Sequence, residues 1–120
     1  MPLPEKNNRV IVTSALPYAN GDLHIGHLLE HVQTDIWVRL LRTNNIICHY
    51  VCASDAHGTP IMLRAKELGT EPEKMVEEFR SSHIKDLQSF NISHDNFYTT
   101  HSDENKYFSE LIYKKAKESG

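Results

Sequence analysis

Two short stretches of the chain hold the residue types from which chemistry is built. The first is Tyr18-Ala-Asn-Gly-Asp-Leu-His-Ile-Gly-His27, and the second is Ser54-Asp-Ala-His-Gly-Thr-Pro60. In the first, His24 and His27 are three residues apart and flank Gly26. If a helix opens there, both imidazoles project from one side of its first turn. That turn carries unpaired N–H groups and the positive end of the helix dipole, so it attracts phosphate. Two imidazoles there can donate hydrogen bonds to phosphate oxygens as charge builds during a displacement. Gly26 has no Cβ, so a flat base or a phosphate can approach the backbone, and Asn20 adds an amide just upstream. The pattern points to a nucleotide site without a lysine-bearing phosphate loop. No G-x-G-x-x-G is present, so the dinucleotide fingerprint fails.

Two other readings compete for the same residues. Solvent-exposed helix histidines are the bland one, and the glycine between them and the Pro17/Asn20-Gly21 turn before them weigh against it. The sharper one is a zinc hydrolase, because His27-Leu-Leu-Glu30-His31 matches H-x-x-E-H. His27 and His31 would ligate the ion and Glu30 would be the base, with Asp35 one turn further on. Five residues with three fixed positions make a weak pattern in a chain with eight histidines. In the second stretch, Asp55 follows a strand-like run. An acid there contacts a ribose in many nucleotide folds, or holds an ammonium group by charge-assisted hydrogen bonds. Thr59 stands where a helix cap would, which frees Asp55 from that duty. His49, His83, His94 and His101 fall in no pattern and read as bland.

These residues need elements to hold them. Arg9–Ser14 reads as a buried β-branched strand. An irregular turn follows, then a helix whose apolar face is Ile25, Leu28, Leu29, Val32, Ile36 and Leu40, ended by Asn44-Asn45. Ile46–Ala53 reads as a second strand. Thr59-Pro60 caps and opens a short helix with Met62, Ala65 and Leu68 inward and Gly69 as its stop. Thr70 and Glu73 have capping-box spacing ahead of a helix burying Met75, Val76, Phe79 and Leu87. Phe90–Thr100 reads as loop with a short strand near Phe97–Thr99. Ser102 caps a last helix with Tyr107, Phe108, Leu111 and Ile112 on one side and Lys114, Lys115 and Lys117 near its negative end. This order predicts an α/β fold with a parallel, covered sheet, and the two polar turns fall at the carboxyl ends of neighbouring strands.

Length and composition fit that plan. The 120 residues have room for one domain, and 39% hydrophobic with 24% charged residues is ordinary for a globular chain. A net charge of −3 argues against a basic module that binds DNA by phosphate neutralisation. No apolar run is long enough for a membrane span, and the polar lead Met1–Arg9 lacks the apolar core of a secretory signal. Cys48 and Cys52 share one face of a strand, too far apart for a bridge. They read as packed, reduced thiols of a cytoplasmic protein, outside any metal cluster.

Taken together, Ala15-Leu-Pro-Tyr-Ala-Asn-Gly-Asp-Leu-His-Ile-Gly-His27 resembles the signature of class I aminoacyl-tRNA synthetases, including its HIGH motif. With Ser54–Pro60, Phe90-Asn-Ile-Ser-His-Asp-Asn96 and Thr100-His-Ser-Asp-Glu-Asn105 it is similar to the methionyl family in particular. The resemblance implies a Rossmann-like parallel sheet with flanking helices, the first half of the catalytic domain over residues 1–120. It implies activation of methionine by ATP, with Mg2+ as part of that substrate, and transfer to tRNA(Met). His24 and His27 would be catalytic. Pro17, Tyr18, Asn20, Gly21, His24, Gly26, His27 and Glu30 would contact ATP, and Ala15, Leu16, Tyr18 and Asp55 would hold methionine. The family's Lys-Met-Ser-Lys-Ser loop, its connective domain, where a structural zinc would belong, and its anticodon-binding domain are not in this sequence. The resemblance therefore implies a fragment, inactive alone. A nucleotide-binding module without catalysis stays open as an alternative beside the zinc hydrolase.

Overall fold

The structure, a computed structural model, describes Leu3, Pro4 and residues 9–120, so most of the polar lead lies outside the described residues. The elements run β1 (Arg9–Val12), α1 (Ile25–Thr43), β2 (Ile47–Ser54), α2 (Thr59–Leu68), α3 (Pro72–Ser89), β3 (Asn96–Thr99) and α4 (Asp103–Ser119). The three strands form one parallel sheet in the order β1-β2-β3. Each parallel step is made by an α-helical crossover, as such a sheet requires. Among the described residues, no helix is long and apolar enough to cross a membrane.

Strand alternation decides what the sheet buries. Cys48, Tyr50, Cys52 and Ser54 are buried along β2, whereas Ile47 and His49 are exposed. Val10 and Val12 pair with Cys48 and Tyr50 and join them under Val38 and Leu41 of α1. Ile11, on the other face, is 74% exposed. β1 is thus only half buried, contrary to the expectation of a strand covered on both sides: α1 packs on one face, and alternation turns Ile11 away from it.

α1 also differs from its pattern. Its buried residues are His31, Asp35, Val38 and Leu41, while Ile25, Leu29, Ile36 and Leu40 of the expected core face are exposed. Polar partners explain the choice. Asp35 accepts hydrogen bonds from the Ser93 amide at 2.8 Å and the Ser93 hydroxyl at 2.5 Å, and it pairs with Arg39. Burial alone would raise the Asp35 pKa, but these hydrogen bonds outweigh it and hold the carboxyl below its usual range. Arg42 reaches Ser93 and Asp95, and Asp95 accepts from the Tyr50 amide at 2.7 Å. The polar stripe of α1 thus straps the 91–95 connection to the sheet.

α2 and α3 form a second core. Ile61, Ala65, Met75 and Val76 close around Ala19 and Ala56, with Tyr18 and Phe79 packed beside them. Met62 and Leu68, expected inside, are exposed, and Ile61 takes the inward position. The expected caps shift by one residue. Gly58 and Glu71 are the N-cap positions of α2 and α3 and make no side-chain caps; glycine has no side chain to offer, and Pro60 and Pro72 fill the first turns, where a missing N–H is tolerated. Gly69 ends α2 in the left-handed conformation at φ 65°, and the Ser102 hydroxyl caps α4 by accepting from the Asn105 amide. α4 buries no residue: Tyr107, Phe108 and Ile112 are exposed.

Candidate active site

The two polar turns meet at the carboxyl end of β2. Tyr18 and Asp55 form a parallel β-bridge, with Ala19 N donating to Asp55 O at 2.9 Å and Asp55 N donating to Pro17 O at 2.9 Å. Underneath, Ala19 and Ala56 are seated on the α2–α3 core. The Tyr18 hydroxyl lies 2.7 Å from where a Cβ on Gly58 would stand, and Gly58 has φ 131°. Only glycine meets both demands, and its absent side chain lets the first turn close on the second.

His24 is the N-cap of α1. Its Nδ1 accepts from Gly26 N at 3.1 Å, and His27 Nδ1 accepts from His24 N at 3.2 Å, a capping box made of two imidazoles. The rings stack with centroids 3.7 Å apart. A nitrogen that accepts from a backbone N–H carries no proton, so each neutral ring bears its proton on Nε2. Burial, with the neighbouring His24 and His83 adding to it, lowers the His27 pKa and favours that neutral form. Two Nε2–H donors are thereby fixed at the positive end of a helix. A Cβ on Gly26 would come within 2.9 Å of the His24 ring, so this glycine protects the cap as well as leaving the backbone open.

The remaining expected residues are distributed around this cap. Glu30 Oε1 accepts from Ala15 N at 2.5 Å and so fixes the main chain at Ala15–Leu16. Ala15 and Leu16 are exposed, Pro17 is buried, and Tyr18, Asn20, Gly21 and Asp55 are partly buried. Thr59 makes no cap, and neither does Asp55. The H-x-x-E-H reading is overturned. His27 and Glu30 are engaged with His24 and Ala15, while His31 is 1% exposed and turned inward onto the Ser14 and Tyr50 hydroxyls. These three side chains do not gather as ligands among the described residues.

Three histidines read as bland are placed at or beside the site. His83, fully buried on α3, donates from Nε2 to Gly21 O at 2.7 Å and so pins the Asn20-Gly21 turn from below. His101 stands 3.1 Å from His57, Nδ1 to Nε2, joining the end of β3 to the second turn. Thr100 Oγ1 accepts from Ala56 N at 2.8 Å in the same corner. His94 lies against His31 and Tyr50. These partners are 44 to 63 positions away in sequence, so no local pattern marks them. Two cavities adjoin this corner. One of about 790 Å³ is lined by His57, Thr100, His101 and the first turns of α4. The other, of about 380 Å³, is lined by Gly58, Ile61, Met62 and Val76 among others. Neither is lined by residues 15–27, which form an open shelf.

The family described as tRNA synthetases class I (M) matches residues 10–120. The chain belongs to that family. Two structures of Mycobacterium tuberculosis methionyl-tRNA synthetase with methionyl-adenylate are similar to it. One aligns over 80% of this chain and 19% of its own length, at 25% identity and a TM-score of 0.78. The other covers the same shares at 24% identity and a TM-score of 0.77, and shares the fold. The synthetase segment described here therefore spans about a fifth of the length of those chains. Its three-stranded parallel sheet with flanking helices is that of the class I catalytic domain.

Proposed function

We propose that this segment supplies the first half of the catalytic domain of a methionine–tRNA ligase. The methionine carboxylate attacks the α-phosphorus of ATP, which enters with Mg2+, and pyrophosphate leaves. The methionyl group of the adenylate then passes to a hydroxyl of the terminal adenosine of tRNA(Met), releasing AMP. The carrying observation is the pair of 2.9 Å backbone bonds that fix Pro17–Ala19 beside Asp55. They set an acid for the methionine ammonium group next to a helix N-terminus bearing two imidazole Nε2–H donors. His24 and His27 donate to the phosphate oxygens as the α-phosphorus becomes five-coordinate, and Gly26 leaves room for the adenine. Asn20 orients the triphosphate from a turn that His83 holds. Asp55 and the Leu16 carbonyl bind the ammonium group, and Ala15 and Tyr18 line the side-chain pocket. Glu30 contributes by positioning Ala15. Two free cysteines support a reducing compartment, the cytoplasm.

Methionine-dependent exchange of pyrophosphate into ATP, measured on a full-length protein carrying this segment, tests the reading. His24→Ala is expected to slow exchange by about 10²–10³ while leaving methionine binding nearly intact, as removing one preorganised donor does. Asp55→Ala is expected to raise the methionine KM. ATP binding with no exchange in the unsubstituted protein would replace the enzyme with a nucleotide-binding module.

A further inference from the structure

Between α1 and the sheet, beneath Ser14–Ala15 at the edge of the open shelf, three potential metal ligands converge. His31 of α1, Cys52 of β2 and His94 of the 91–95 connection each bring a donor atom within 4.8 Å of the other two. His31 is 1% and Cys52 7% exposed. The His94 Nε2 atom is buried and has no hydrogen-bond partner. Leaving a buried ring nitrogen without a partner is costly, so it requires an explanation beyond packing.

We propose that His31, Cys52 and His94 form a metal site for a closed-shell d10 cation of the Zn2+ or Cu+ kind. The donor set selects this chemistry. Thiolate with imidazole prefers soft and borderline ions, whereas Mg2+ and Ca2+ require oxygen ligands. Binding converts the Cys52 S–H to a thiolate, and its proton leaves to solvent. The thiolate cancels one positive charge, so a trigonal Cu+ site is neutral and least costly to bury. Zn2+ needs a fourth donor, and the Ser14 hydroxyl lies 3.5 Å from the Cys52 sulfur. Bringing donors from within 4.8 Å to bonding distance of one ion needs only small side-chain shifts, since such sites hold their donors at about 2.0–2.3 Å from the metal. The site does not depend on the synthetase reading. It ties together α1, β2 and the 91–95 connection.

Anaerobic titration of the reduced chain with Co2+, a spectroscopic stand-in for Zn2+, tests it. A near-ultraviolet thiolate-to-cobalt band is expected to saturate at one equivalent, and Zn2+ is expected to bleach it. A parallel arm titrates Cu+ from a coloured chelator complex, and tighter retention in that arm assigns the ion as Cu+. Cys52→Ser is expected to abolish the band, and His94→Phe to weaken binding at least about tenfold. Cys48→Ser, which changes the other buried thiol, is expected to leave both unchanged. Absence of the thiolate band and of Cu+ retention in the folded chain would overturn the proposal. So would either signal surviving in Cys52→Ser, or being lost in Cys48→Ser with the fold intact.

Discussion

His24 has two duties that can be separated. Its Nδ1 caps α1 through Gly26 N, and its Nε2–H faces outward at the helix N-terminus. Loss of an N-cap costs about 1 kcal/mol. His24→Ala is therefore expected to lose both helix stability and pyrophosphate exchange. His24→Ser keeps a strong capping residue, and is expected to retain the urea midpoint while losing exchange as fully as alanine does. Recovery of exchange in the serine variant would reduce His24 to a cap. At Gly58, a Cβ would meet the Tyr18 hydroxyl at 2.7 Å on a backbone at φ 131°. Gly58→Ala is expected to destabilise the chain by about 1–3 kcal/mol and to raise the methionine KM by moving Tyr18. A midpoint unchanged in urea would show that the turn absorbs the side chain. The histidine–glycine–histidine spacing was legible because it acts within one helical turn. His83 was not, because its partner, the Gly21 carbonyl, is brought to it only by the folding of α3 under the shelf.

Among the elements, α1 shows what sequence pattern can and cannot convey. Its bounds followed from periodicity and from the Asn44-Asn45 stop, and the structure places them at Ile25–Thr43. Its buried face did not follow, because the pattern selects the most apolar stripe. The helix instead turns His31, Asp35, Val38 and Leu41 to the sheet, where Ser14, Tyr50 and Ser93 supply polar partners that only the tertiary fold reveals. β3 was legible as a short run, while its place beside β2 depends on Asp95 bonding Tyr50. Asp35 provides a test of this strap. Its folded pKa lies below its ordinary value, so the unfolded chain binds the extra proton first as pH falls. The stabilisation is therefore complete above the ordinary carboxylate range, near pH 4, and is lost as pH falls through the lower folded value. Asp35→Asn is expected to lower stability at pH 7 by about 2 kcal/mol and to flatten this acid limb. Urea midpoints between pH 6 and pH 2.5 for both forms measure it. Parallel curves would mean that Asp35 contributes no strap.

On the scale of the molecule, the chain is flat and open. Its principal extents are 50 × 44 × 21 Å and its radius of gyration is 16.9 Å, against about 13.6 Å for a compact domain of this length. The excess comes from elements with one packed side. α4 buries nothing, the sheet leaves Ile11 and Ile47 bare, and α1 presents Ile25, Leu29, Ile36 and Leu40 away from the sheet. Exposed apolar faces of this kind mark contact with further protein. The solved relatives are about five times as long as the matched segment, so they contain chain enough to cover such faces. The 120-residue chain alone is therefore expected to self-associate as its concentration rises and to show no pyrophosphate exchange. Ile25→Lys combined with Ile36→Lys puts two like charges on the α1 stripe, at positions 80% and 62% exposed. Substitutions at such sites change stability by about 0.5 kcal/mol or less. The double variant is expected to remain monomeric in light scattering at concentrations where the unsubstituted chain associates, with its urea midpoint unchanged. Equal association of the two forms would move the sticky surface to α4 or to the bare face of the sheet. A lowered midpoint would instead show that the outer stripe of α1 is packed in solution, and that the chain alone is more compact than the open arrangement seen here.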